Sequence, residues 1–281
     1  MALTGLPPDT DADVARVTEA LAMITPRWNV RILLALNGQP LRYSELATKV
    51  AWLRDGQLVP KLRQLCDAGL VERIEHSPRH VTYGATDRAT TLLPVLPLIV
   101  TWAEQYLEKP EQPLPVIEQV EDSLTLLTRR HAAAILWVLK IRGEASGPAL
   151  AQAVIPGSYW TNVYPPLRQL VDDGLVATDG NGQPYRLSSA GEGLAPVLSA
   201  LSAWSAGQPL TQAGLHPVWG SAQAAPGQRM WLSSPPRPQA LTTTPALART
   251  AQTPVWQRTA LFSHATPSRP LAALPTGGPR R

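Results

Sequence analysis

The feature that most constrains this chain is that its first 206 residues contain one pattern written twice. LRQLCDAGLV at 62–71 returns as LRQLVDDGLV at 167–176, and ITPRWNVRILLAL at 24–36 returns as LTRRHAAAILWVL at 127–139. LLPVL at 92–96 and LAPVL at 194–198 each lead to a tryptophan six positions on, Trp102 and Trp204. The three blocks keep their order at spacings of 103, 105 and 102 residues. A fixed period of this kind means one supersecondary unit used repeatedly, and here the unit is a domain of about 90 residues, within the usual domain range. We therefore expect domain 1 over 13–107, a stiff Pro-rich linker over 108–118 and domain 2 over 119–206. A short disordered segment (1–12) should precede them and a disordered tail (207–281) should follow.

Within the first copy the hydrophobic period changes in a telling order. Asp13 to Ile24 reads as an amphipathic helix. Thr25 as N-cap with Pro26 at the first helical position opens a second, carried by Trp28, Ile32, Leu33 and Leu36. Ser44 caps a third, Glu45 to Val50. Asp55 caps a fourth that ends at Ala68, with Gly69 as its left-handed stop. Beyond Gly69 the period falls to two, over Leu70–Glu75 and His80–Tyr83, a hairpin around Ser77-Pro78-Arg79. Thr86 then caps a last long helix to about Leu107. Four helices, a hairpin and a helix make a winged helix-turn-helix. The expected fold is mainly α with small β wings (α+β), two such domains in tandem.

These residues resemble the HxlR-type winged-helix transcription regulators. Arg27-Trp28 followed by Ile32-Leu33 looks like that family's opening of the second helix. Leu41-Arg42-Tyr43-Ser44-Glu45-Leu46 looks like its Arg-aromatic-Ser-Glu-Leu motif. Leu58, Leu62 to Leu65 and Gly69-Leu70-Val71 follow its recognition helix and first wing strand. Tyr83 to Thr86 and Leu92 to Trp102 follow its second strand and terminal helix. The resemblance implies a DNA-binding repressor or activator that pairs through its first and last helices. Two departures stand out: Pro26 replaces the usual Gly, and Pro60 falls inside the recognition helix, where we expect a local kink.

A helix in the major groove presents a few side chains to base edges while neighbouring cations hold phosphates. Arg54 and Gln57 are the candidates for base contacts. Lys61 suits phosphate, Arg63 divides evenly between base contact and solvated flank, and Ser44 with the amides of its helix start can hold a phosphate. Arg73, His76, Arg79 and His80 give the wing its positive character. The second copy keeps the apolar skeleton and loses this surface: Trp28 becomes His131, Arg42 to Glu45 become Ser146 to Ala149, and Pro166 replaces Lys61. Residues 20–107 carry 10 basic and 7 acidic side chains, residues 120–206 carry 6 and 7. The first copy is expected to read double-stranded DNA and the second to partner it. Leu92, Val95, Leu96, Ile99 and Trp102 would face Leu194, Val197, Leu198, Leu201 and Trp204 in an intramolecular pseudo-dimer. The alternative is a homodimer of four domains.

Other classes fare poorly. No Gly-rich phosphate loop, paired carboxylates or Ser/His/Asp set stands out, so neither catalysis nor a cofactor is expected. His76 and His80 lack the carboxylates or cysteines of a metal site. The one cysteine, Cys66, excludes disulfides and reads as an inert small residue. Trp28, Trp102, Trp137 and Trp204 read as core. A small-molecule effector between the domains stays open, with Trp160 or Tyr164 as candidate lining, although core packing accounts for both equally well. A protein-interaction module that has stopped binding DNA is the competing function, favoured by the excess of acidic residues over 1–206.

The tail holds seven arginines and no Lys, Asp or Glu, and Pro-Val-Trp occurs at 217–219 and again at 254–256. It can add salt-sensitive DNA affinity, or its tryptophans can dock another protein; a plain linker-like extension is an equal reading. No segment is long and apolar enough to suggest a membrane span, and the acidic, turn-forming opening is unlike a secretory leader. A cytoplasmic protein, nucleoid-associated when bound to DNA, is expected.

Overall fold

We examined a computed structural model of the chain, which describes residues 4–108 and 114–220. These residues belong to one compact unit. The first helix, α1 (Pro8–Ile24), starts earlier than its apolar periodicity suggests. Pro8 lacks only an N–H that the first turn leaves unpaired anyway, and Asp9 and Asp11 favour the helix dipole. The ends of the segment are tied down by polar contacts. The Thr4 hydroxyl donates to Asp11, and the Gly5 amide donates to the carbonyl of Ala153 at 2.7 Å. Disorder over 1–12, expected from sequence, is thus corrected from residue 4 onward, through a contact no local pattern reveals.

Thr25 ends α1, its amide bonded to Leu21, and does not cap the next helix. The chain turns through Pro26 and Arg27 to Trp28, which sits at φ +79°, and α2 runs Asn29–Leu36. A short strand, β1 (Leu41–Arg42), leads into α3 (Tyr43–Lys49). Arg42, rather than Ser44, is the residue preceding this helix, and its amide donates to Glu45 Oε2 at 2.8 Å. After α4 (Asp55–Asp67) comes Gly69 at φ +68°, a conformation that costs a side chain about 1 kcal/mol or more. Strands β2 (Val71–Ser77) and β3 (His80–Ala85) form the hairpin, and β1 pairs with β3 to give the antiparallel order β1-β3-β2. Thr86 caps the next helix as expected, accepting from the Ala89 amide. The single long helix does not form. It divides into α5 (Asp87–Leu92), a 3-10 turn (Leu93–Val95) and α6 (Leu96–Tyr106), because Pro94 and Pro97 each remove a donor.

From residue 114 the same succession of elements follows. Helices α7 (Val116–Leu127) and α8 (Ala132–Arg142) precede β4 (Glu144–Ala145), α9 (Gly147–Val154), a 3-10 turn (Trp160–Val163) and α10 (Tyr164–Asp172). Then come β5 (Val176–Thr178), β6 (Tyr185–Leu187), α11 (Ser189–Gly193) and α12 (Ala195–Ser205). The second sheet has the order β4-β6-β5. His131, before α8, is at φ +60°; it and Trp28 are the only described non-glycine residues with positive φ. The proposed linker is helical from Val116, and residues 109–113 lie outside the described residues.

The core is continuous through both stretches. α1 packs on α12 and α8, whereas α7 packs on α6 and α2, and α6 meets α12. All ten residues named for pairing, Leu92 to Trp102 and Leu194 to Trp204, are buried. The Trp102 indole donates to the Ala190 carbonyl at 2.9 Å and the Trp204 indole to the Arg88 carbonyl at 2.8 Å. Trp137 is also in the core, while Trp28 is only partly buried.

Residues 207–220 are ordered, which corrects the expected start of the tail. They pass through a 3-10 helix (Leu210–Leu215) and pin back onto the core. His216 Nε2 lies 2.8 Å from Asp13 Oδ2, and its Nδ1 accepts from the amides of Val218 and Trp219. Trp219, 1% exposed, packs edge-on against Trp137 with ring centres 5.1 Å apart. Trp219 is therefore seated on its own chain. Residues 221–281, which include Trp231 and Trp256, lie outside the described residues.

Candidate nucleic-acid interface

The helix pair α3–α4 carries its apolar side inward: Leu46, Val50, Leu53, Leu58, Leu62 and Leu65 are buried. What remains outside is polar. Arg54 precedes α4 and is exposed, Gln57, Arg63 and Gln64 are exposed along it, and Lys61 is half-buried. Burial lowers the Lys61 pKa from its ordinary value. Residues 54, 57, 61 and 64 recur at helical spacing and share one face, while Arg63 sits beside them. Pro60 is exposed in an α4 that runs unbroken from Asp55 to Asp67, so its lost donor leaves the helix intact. Ser44 is exposed in the first turn of α3, whose amides it flanks.

The wing is less uniformly basic than its sequence suggests. Arg73 is clasped by Glu75 one pleat along the same strand, which takes up much of its charge. His76 shares a hydrogen bond with Thr82 Oγ1 at 3.0 Å, and its ring lies 4.6 Å from that of His80. Arg79, in the turn between β2 and β3, is exposed. Unlike Arg73, it makes no ion pair among the described residues. Arg42 and Lys49, both exposed on α3 or its approach, and Gln64 were not singled out from sequence. Arg42 and Gln64 stood inside quoted motifs, so the signal was present; only their exposure on this face was missing.

The corresponding surface of the second stretch is different. Arg186 is held by Asp179 through two 2.8 Å bonds, neutralising the only base of that short hairpin. Tyr159 and Trp160, 83% and 53% exposed, precede α10 where Arg54 precedes α4. The Trp160 ring packs edge-on against Tyr164 at 5.6 Å. Neither lines the cavity of about 820 Å³ beside α1. Among the described residues no group of three or more His, Cys, Asp or Glu is placed to hold a metal ion, and no helix is long and apolar enough to cross a membrane.

A pair of short helices with an exposed polar second member, flanked by a three-stranded hairpin sheet, is the architecture of the winged helix-turn-helix proteins. The HxlR-like helix-turn-helix family matches residues 23–111. A relative from Halalkalibacterium halodurans, described as the uncharacterized HTH-type transcriptional regulator BH0655, is 35% identical over 85 residues, covering 29% of this chain and 75% of the relative. The regulator YodB of Bacillus subtilis is 27% identical over 95 residues, 33% of this chain and 85% of its own. YdzF of the same organism is 32% identical over 85 residues, 29% and 78%. The chain belongs to the HxlR-like helix-turn-helix family. No solved structure gives a significant match.

Proposed function

We propose that the protein is a sequence-specific DNA-binding transcription regulator that reads DNA mainly through α4 and the β2–β3 wing, with residues 119–206 as an intramolecular pseudo-dimer partner. One observation carries the reading: α4 turns Arg54, Gln57, Arg63 and Gln64 to solvent while its leucines close the core beneath. An inward-facing or acid-screened helix would have removed it. Gln57 and Arg54 are suited to bidentate base contacts, Lys61 and Arg79 to phosphate. The family membership and the regulators among the relatives point the same way.

Reciprocity supports the pseudo-dimer. Trp102 and Trp204 differ by 102 positions, and so do the carbonyls they bond, Arg88 and Ala190. Each copy's last helix gives its indole to the helix preceding the other's. Exchange of this form, where residue i meets j and j meets i, is what a two-fold interface produces. The crossing of α1 over α8 and of α7 over α2 repeats it. A two-fold arrangement would point two helix-turn-helix units at half-sites about 34 Å apart. The neutralised wing Arg186 and the aromatic approach to α10 favour reading at one of them.

The test is selection of full-length protein on random duplexes, followed by mobility shift with competitor DNA. A competitor-resistant complex is expected, with Gln57→Ala relaxing specificity at the cost of about 1–3 kcal/mol. Lys61→Ala and Arg79→Ala should each reduce the salt slope by about 0.9. Binding with no sequence preference, or unchanged by all three substitutions, would sink the proposal. The second reading, a protein-docking module, is favoured by the exposed pair Tyr159 and Trp160; it predicts no selected sequence.

A further inference from the structure

A cavity of about 820 Å³ lies between α1 and the start of α8, and the end of α9 closes one wall. Its explanation comes from comparison with the opposite side of the same fold, and so rests on reading the two stretches as related copies. In the register of the repeat, Trp28 corresponds to His131, Arg31 to Ala134, Trp52 to Pro156, Glu118 to Ala15 and Glu121 to Thr18. The first member of each pair fills the space where α7 crosses α2. Arg31 is stacked on the Trp28 ring at 4.7 Å and near Trp52 at 6.0 Å, and is bonded to Glu118 and Glu121. The space left there is only about 300 Å³. The second member of every pair lines the 820 Å³ cavity. Two tryptophans, an arginine and two glutamates have given way to His, Pro, Ala, Ala and Thr at one crossing alone.

What is left has a definite chemistry. Between its polar groups the wall is aliphatic, from Val14, Leu127, Val154 and Ile155 among others. At the entrance, burial and the neighbouring Arg130 hold the His131 pKa below its ordinary value, favouring the neutral ring. Arg130 Nε donates to His131 Nε2 at 3.2 Å, which leaves the ring proton on Nδ1 as a donor. Arg129, also on the wall, is already bonded to Asp173. The carboxylates on the lining are Asp11, which accepts from the Thr4 hydroxyl, and the exposed Glu19, so an anionic ligand would find no unpaired cation among the described lining residues.

We infer that the α1–α8 cavity is a binding site for a neutral, predominantly apolar small molecule bearing one carbonyl-type acceptor. Its volume falls within the ~300–1,000 Å³ of small-molecule sites. The acceptor meets the His131 Nδ1–H donor, and the apolar body takes the place that Trp28, Trp52 and Arg31 occupy across the pseudo-axis.

The experiment uses the full-length protein and the neutral naphthalene ketone PRODAN, whose emission reports polarity. Saturable blue-shifted emission at one dye per chain is expected. His131→Trp restores the bulk of the opposite crossing, and the backbone accepts it because Trp28 holds the same left-handed conformation. Ala22→Phe fills the cavity from the exposed side of α1. Each should weaken the dye by about tenfold or more, with the circular dichroism of the native fold retained. Non-saturating binding, or affinity indifferent to both substitutions, overturns the inference. DNA binding by mobility shift is measured on the same samples: a DNA complex without dye binding fails this site alone, whereas dye binding blocked by both substitutions without any DNA complex fails the regulator reading and leaves the site standing.

Discussion

Replacing Arg31 by methionine tests how the two stretches are held together. The Arg31 side chain is 5% exposed, and its Nη2 lies 3.0 Å from Glu121 Oε2 and 3.4 Å from Glu118 Oε1. Its Nε bonds both oxygens of Glu121 at 3.2 Å. Glu121 also accepts the Trp28 amide at 3.1 Å, so one carboxylate from α7 serves the start of α2 and its arginine together. Methionine keeps much of the stem's packing but leaves Glu121, 12% exposed, without its cation. Breaking a buried pair from one side costs about 3–5 kcal/mol. Glu118, 39% exposed, can turn to water, so about 3 kcal/mol is expected. Urea unfolding should show a lowered midpoint at unchanged m, and the melting temperature should fall by roughly 6–12 °C. Glu121→Gln in the same background removes the orphaned charge while still accepting the Trp28 amide. The double variant should therefore recover about 2 kcal/mol relative to additivity. A loss below about 1 kcal/mol for Arg31→Met, or strictly additive single effects, would refute the reasoning.

Trp102→Phe removes the indole donor to the carbonyl of buried Ala190 and should cost about 1–3 kcal/mol in urea unfolding, whereas the Arg88 carbonyl keeps the Thr91 hydroxyl as a donor, so Trp204→Phe should cost only about 0.5–1.5 kcal/mol; no cost at Trp102 would contradict the reasoning. Burial pushes the Asp13 pKa up, yet hydrogen bonds from His216 and Ser202 outweigh it and hold the carboxyl below its usual value. Its stabilising contribution is thus complete above the unfolded carboxylate range and is lost as pH falls below it. The tryptophan fluorescence of the 207–220 segment should report acid release that Asp13→Asn abolishes; an acid transition identical in both would exclude Asp13 as its cause. Burial, followed by the charge of Asp67, raises the Cys66 thiol pKa against the opposing pull of Arg73. Alkylation of Cys66 at neutral pH should then be slower than that of free cysteine, and faster modification would contradict an inert role.

Much of the helix-turn-helix was legible because its signals are local. Gly69 as a helix stop, Thr86 as a cap and the fall of period from three-and-a-half to two across Leu70 each depend on residues within one turn of each other. Three of the errors share one origin. Thr25-Pro26 has the form of a helix start, but Trp28 takes a left-handed turn in which Glu121, 93 positions away, accepts its amide. Residues 4–12 read as disordered because their anchor is Ala153, and 207–220 because theirs is Asp13. Among the candidate site residues, α4's exposure followed from its leucine spacing. The neutralisation of Arg73 by Glu75 did not, since alternation along a strand places both on one face without saying whether they bond.

Sequence by itself determined the recurring blocks, the helix-turn-helix of residues 43–67 and the polar face of α4, because periodicity and capping act between neighbours on one helix or strand. The tertiary structure decided which surfaces meet: the indole bonds of Trp102 and Trp204 across the two stretches, the packing of α1 on α8 and of α7 on α2, and the filling of one crossing but not the other. Those outcomes depend on side chains brought together from about a hundred residues apart, where equivalent positions of a repeat carry different volumes and charges and only packing reveals the difference.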